Sequence, residues 1–168
     1  MKSVKRIISA VFATLLFYSS VCFAFAESPY TIPDGAEGVW RIPKLHVVVP
    51  VYSGRNGQEI VDREYSAHIR QIGIGREIAD HAGSENRMGV KVWYIDRVSL
   101  GDKAYFELPG KTEEYECYLL CIVDWHTWCL TINGKLVVPY SSTDILCRSC
   151  VDKTAQQNYV AIFKKVSE

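Results

Sequence analysis

The chain has no excess of charge of either sign: 19 lysines and arginines balance 19 aspartates and glutamates. The charges are interspersed along the sequence. There is therefore no basic stripe for nucleic acid and no polybasic patch for an anionic membrane surface. Internal repeats and low-complexity tracts are also lacking. Strands and helices do not alternate in a βαβ rhythm, which argues against a parallel α/β sheet. A complete zinc-ligand set is missing as well. Cys147-x-x-Cys150 offers two thiols, and Cys117 and Cys121, four apart in a strand, do not form a knuckle. Nor does Cys147-x-x-Cys150 open a helix, where dithiol exchange chemistry usually places such a pair.

The chain does contain one long apolar run, at its start. Lys2, Lys5 and Arg6 precede an uncharged stretch over residues 7–26 that ends Ala24-Phe25-Ala26. A basic n-region, an apolar core and small residues at the A-x-A positions predict a secretory signal peptide over residues 1–26. An uncleaved anchor is the alternative, since about 20 apolar residues can just span a bilayer. Either way the remaining domain faces outward. Cleavage leaves 142 residues with 16 basic and 19 acidic side chains, enough for one domain with its own core. Five cysteines remain, and an odd number in an exported chain leaves at least one thiol unpaired.

Residues 27–38 are rich in proline and glycine and read as a lead-in to a domain over residues 39–168. Short β-branched or alternating segments follow at residues 39–42, 44–52, 74–79, 103–108 and 112–123. Two more flank Asn133-Gly134, a strong hairpin signal, and the last pair covers residues 144–150 and 159–166. Residues 59–71 are the best helix candidate, with Ile60, Tyr65, His68 and Ile69 able to share part of a face. Residues 83–89 read as a loop, and residues 90–98 fit helix or strand. Many short strands with one or two helices predict a mostly β fold, a closed barrel or sandwich.

Two residues carry the chemistry this pattern suggests. Cys150 ends a strand, with Arg148 on the same face, where a guanidinium favours the thiolate. His81 ends another apolar strand, beside Asp80 and ahead of a glycine-containing loop. A thiol and an imidazole are the minimum parts of a thiolate nucleophile and its acid–base partner. His46, His68 and His126 are weaker candidates, at a strand start, in the expected helix and in an aromatic loop.

The order of these parts resembles the sortases, the cysteine transpeptidases of Gram-positive cell envelopes. Ile42-Pro43-Lys44-Leu45 with Val49-Pro50-Val51-Tyr52 is similar to the opening of sortase domains. Ile78-Ala79-Asp80-His81 resembles the strand that carries the sortase histidine, with Asp80 where the family has glycine. Leu100-Gly101-Asp102 resembles the L-x-x-G-D turn, and residues 145–150 (ILCRSC) resemble the strand ending in the nucleophile. The resemblance implies a sortase-like closed barrel of about eight strands and a reaction through a thioacyl intermediate. Cys150 would be the nucleophile and His81 the proton donor. It implies a peptide or protein sorting signal and an amine acceptor as partners and a place in the cell envelope. The apolar run over residues 7–26 allows membrane association, and no cofactor or metal is expected. One departure stands out: Asn158 occupies the position of the family's arginine at the last strand. Asn158 can donate a neutral hydrogen bond to an oxyanion, or orient His81. Arg148 can supply the missing charge if it shares the cleft.

Other readings remain open at this level. One is a catalytically silent sortase-fold module that binds a peptide or envelope partner, which Asn158 favours. Another is a secreted binding domain stabilised by disulfides or zinc. A third is an L,D-transpeptidase, although Arg148-Ser149-Cys150 lacks the local histidine of that signature.

Overall fold

The computed structural model describes residues 30–62, 66–81, 95–126, 129–151 and 156–166. The expected leader and the loop at residues 83–89 lie outside them, as does most of the ambiguous segment at residues 90–98. Among the described residues there are ten strands: β1 (Gly38–Ile42), β2 (Val47–Tyr52), β3 (Ala67–Ile72), β4 (Gly75–Ala79), β5 (Lys103–Leu108), β6 (Lys111–His126), β7 (Cys129–Ile132), β8 (Lys135–Leu136), β9 (Ile145–Cys150) and β10 (Gln157–Lys165). One short helix, α1 (Gly57–Asp62), and two single turns of 3-10 helix complete the described elements.

The strands run in the order β10-β9-β4-β3-β2-β1-β5-β6, and β10 also pairs with β6, which closes an eight-stranded barrel. The hairpin β7–β8 extends from the far end of β6. Its turn places Asn133 at φ 50° and Gly134 at φ 74°. Both residues tolerate that left-handed region, so the Asn-Gly pair sets a two-residue turn.

Period-two alternation decides which side chains fill the barrel. All eight barrel strands send apolar residues into one interior cluster, including Trp40, Val49, Ile69, Ile78, Phe106, Cys117, Cys147 and Phe163. Trp40 is fully buried and meets Phe106, Tyr115 and Phe163 edge-on, at centroid distances of 6.0, 5.3 and 5.4 Å. A second cluster lies on the opposite face of β6, β9 and β10. Val123, Leu146, Val160 and Ile162 are covered there by Leu130 of β7. β6 serves both clusters through a bulge at Tyr118. Phe163 pairs with Cys117 while Ile162 pairs with Leu119, so one residue is extra.

Two expectations need correction. The helix expected over residues 59–71 is shorter and ends at Asp62, and Ala67–Ile72 is strand β3. Alternation won over the weaker helical spacing here. Ala67 and Ile69 enter the interior, while His68 and Arg70 take the other face, and β3 fills the space between β2 and β4. Likewise, residues 125 and 126 continue strand β6 rather than forming a loop.

The aromatic cluster around Trp40 predicts the largest single packing loss. Trp40→Ala should cost about 3–5 kcal/mol of unfolding free energy, measured by urea denaturation.

Candidate active site

β4 and β9 are parallel neighbours, with Ile78 opposite Cys147 and Ala79 opposite Arg148. Cys150 lies two residues beyond Arg148 and is the last residue of β9. His81 lies two residues beyond Ala79. Both strands therefore deliver their candidate side chains to the same end of the sheet. On the other side of β9, Asn158 is the register partner of Cys150, and Val160 is the partner of Arg148. Alternation then puts Arg148, Cys150, Asn158 and Glu77 on one face, opposite the barrel interior.

That face carries a charge network that sequence reading did not find. Glu77 is fully buried. Its Oε1 accepts from Arg148 Nε at 2.6 Å, and its Oε2 accepts from Arg70 at 2.9 Å. Burying a carboxylate is costly unless it is paired and hydrogen-bonded, and two guanidinium groups meet that need. Arg148 also donates to Asn158 Oδ1 at 3.2 Å. A guanidinium has no acceptor, so the amide oxygen of Asn158 must face it, and the amide nitrogen is turned to the other side. Asn158 is fully buried, which fixes this orientation by packing as well. Glu77 therefore faces two guanidinium groups, one from β3 and one from β9. Arg148 is thus brought together with Cys150 and Asn158, but its head group is committed to Glu77 and Asn158.

His81 is held at two points. Its backbone N–H donates to Asp80 Oδ1 at 2.6 Å, and its ring Nε2 lies 2.8 Å from Asp62 Oδ1. Asp62 is the last residue of α1, and no motif marked it in the sequence. The hydrogen bond from His81 is the main cause that holds the Asp62 carboxyl below its ordinary range. His68, a weaker candidate from the sequence, is structural. Its Nε2 bonds the carbonyl of Gly54 at 3.0 Å and its ring lies against Gly57.

The thiols divide by strand face. Cys147 is buried in the interior cluster, where desolvation raises its thiol well above the usual range. Cys150 lies on the opposite face and is partly exposed. The Cys147-x-x-Cys150 spacing therefore does not converge on one ligand. Cys117, Cys121, Cys147 and Cys150 all carry free thiols.

Asp80 replaces the small residue expected before the histidine, and its side chain continues the interior side of β4 after Ile78. It is 6% exposed, and its Oδ2 has no hydrogen-bond partner. Desolvation outweighs the His81 backbone bond and pushes this carboxyl up to about 7 from an ordinary 3.8. The native state then holds a proton that the unfolded chain gives up at lower pH. Stability conferred by the neutral form is complete below about pH 4 and is lost as pH rises to about 7. At pH 8 the loss amounts to at most about 4 kcal/mol. Asp80→Asn keeps an acceptor for the His81 N–H and removes the charge. It should raise the thermal midpoint at pH 8 by several degrees and leave it unchanged near pH 4, as read by circular dichroism.

With this geometry in place, comparison with known proteins assigns the architecture. No family model matches the chain. Sortase SrtE1 of Streptomyces coelicolor is 29% identical over 91 residues, which are 50% of this chain and 26% of that protein, so the match spans about a quarter of the relative's length. Among solved structures, Streptococcus pneumoniae sortase C superposes with a TM-score of 0.62 at 14% identity, covering 81% of this chain and 71% of that one. Listeria monocytogenes sortase A gives a TM-score of 0.58 at 18% identity, covering 80% and 89%. The barrel closed by β6 and β10, with Cys150 ending the strand beside that of His81, is a divergent sortase-like fold.

Proposed function

We propose that this chain is an exported sortase-like cysteine transpeptidase, with Cys150 as nucleophile and His81 as its acid–base partner. The observation that carries this reading is the parallel register of β4 and β9. It directs a half-exposed imidazole and a partly exposed thiol to the same sheet end. The sortase-like barrel and the match to sortase SrtE1 support it.

In the proposed reaction the Cys150 thiolate attacks the backbone carbonyl carbon of a peptide sorting signal. An S–C bond forms and the carbonyl oxygen becomes an oxyanion. The C–N bond then breaks, and His81 gives its proton to the departing amine, leaving a thioester. An incoming amine attacks the thioester and loses its proton to His81, and the thiolate is released. Asn158 is the neutral amide nearest the nucleophile along the register. It is fully buried and accepts from Arg148, so its contribution is to hold the Arg148–Glu77 network beside the nucleophile. Arg148 and Arg70 contribute positive charge through the Glu77 network rather than by direct contact.

The setting is also part of the proposal. Residues 1–26 direct export, the enzyme works at the cell envelope, and residues 7–26 can hold it at the membrane. No helix among the described residues is long and apolar enough to cross a membrane. A second reading is favoured by Asn158 at the arginine position: the same barrel acts as a silent module that binds a sorting peptide without cleaving it.

Iodoacetamide labelling separates the two, with the modified cysteine identified by peptide mapping. At neutral pH Cys150 should react at least about tenfold faster than a small free thiol, and His81→Ala should remove most of that advantage. The Cys150→Ala variant should lose the fast phase. A Cys150 that reacts at the free-thiol rate and ignores His81→Ala would exclude the enzyme reading in favour of the binding module.

A further inference from the structure

We infer that Asp62 is a positioning residue for His81, so that the site is a Cys150–His81–Asp62 arrangement rather than a pair. The inference rests on the proposed role of His81 and adds a residue that the sequence did not mark. The ring Nε2 of His81 and Asp62 Oδ1 are 2.8 Å apart, a charge-assisted hydrogen bond when the ring is protonated. Such a bond fixes the ring plane and places a negative charge opposite the imidazolium, which is the function of the third group in a nucleophile–base–carboxylate set.

An exposed ion pair alone would be weak grounds, because both side chains are about half exposed, at 45% and 56%. What distinguishes this pair is how the fold fixes α1. Asn56 Oδ1 accepts the N–H of Glu59 at 3.2 Å and caps the helix start. Gly57 sits so close to the His68 ring that a Cβ there would lie 2.6 Å from Nδ1. The same ring bonds the carbonyl of Gly54, ahead of the helix. Ser66 Oγ donates to the carbonyl of Ile60 at 2.7 Å, tying the helix to the residue just before β3. His68 is itself buried and paired in β3 with Ala79 of β4. Thus α1 is fastened to the strand next to β4, and its last residue is carried to the histidine that follows β4. Asp80 fixes the backbone of that histidine from the other side.

The test is the rate of Cys150 alkylation by iodoacetamide at two pH values, in the wild type and in Asp62→Ala, Asp62→Glu and His81→Ala. Near pH 6 the thiolate depends on the imidazolium, whereas near pH 9 a thiol ionises without help. Asp62→Ala should slow alkylation about three- to five-fold near pH 6 and leave it unchanged near pH 9. Asp62→Glu should restore at least half of the lost rate, and high salt should erase the difference between wild type and Asp62→Ala. If His81→Ala slows the reaction near pH 6 while Asp62→Ala does not, the positioning role is wrong and the Cys150–His81 reading stands. An equal loss at both pH values in Asp62→Ala marks a general structural role and overturns the inference too. If His81→Ala itself has no effect near pH 6, the underlying pair is wrong, and the role of Asp62 falls with it.

Discussion

The parallel pairing of β4 with β9 is the constraint on which the rest of the site depends. Parallel neighbours end on the same side of a sheet, so whatever follows each strand meets there. The chain places His81 after β4 and Cys150 at the end of β9, about seventy positions apart in sequence. A one-residue slip in this register would turn Arg148 and Cys150 into the barrel interior and Cys147 out of it. The apolar pattern prevents that slip. Ile145 and Cys147 belong to the interior cluster, while Leu146 belongs to the outer one, beneath β7.

The same register creates the electrostatic problem that the outer face must solve. It brings Glu77 and Arg148 onto one face of neighbouring strands, and β3 adds Arg70 opposite Glu77. The buried carboxylate is held by two guanidinium groups, and the spare donor of Arg148 reaches Asn158. Asn158 thus becomes part of a fixed hydrogen-bond chain with Arg148 and Glu77. The network makes Asn158 a directed amide, with its oxygen assigned by chemistry and its position by burial. On the far side of β4, α1 supplies Asp62 to His81. The candidate nucleophile and its partner are flanked by groups whose orientation is set by pairing and burial.

Much of this was legible in the sequence, and the parts that were not share a cause. Strands such as β5, β9 and the β7–β8 hairpin follow from local alternation and from the Asn-Gly turn. Cys150 and His81 were marked by their places at strand ends. The stretch at residues 67–72 misled because Ala67, Ile69 and their neighbours also permit a helical face. Only the pairing with β2 and β4 decides for a strand. β10 begins at Gln157, two residues before the expected start, and this is what puts Asn158 inside the strand opposite Cys150. Glu77, Arg70 and Asp62 could not be singled out, because an isolated Glu, Arg or Asp carries no signal until cross-strand register gives it a partner. Asp80 was visible as a departure from the sortase pattern, but its burial and raised carboxyl were not.

Cross-linking positions 81 and 150 tests the central arrangement most directly. His81 and Cys150 each lie two residues beyond the Ala79–Arg148 pair, and carrying that register forward would bring their Cα atoms to about 5 Å, within the span of a disulfide. In the His81→Cys variant, mild oxidation should close a bridge between position 81 and Cys150, identified by mass spectrometry of the linked peptides and reversed by reductant. Free thiols at both positions after oxidation, or a bridge from position 81 to a different cysteine, would contradict the convergence of β4 and β9 on one site.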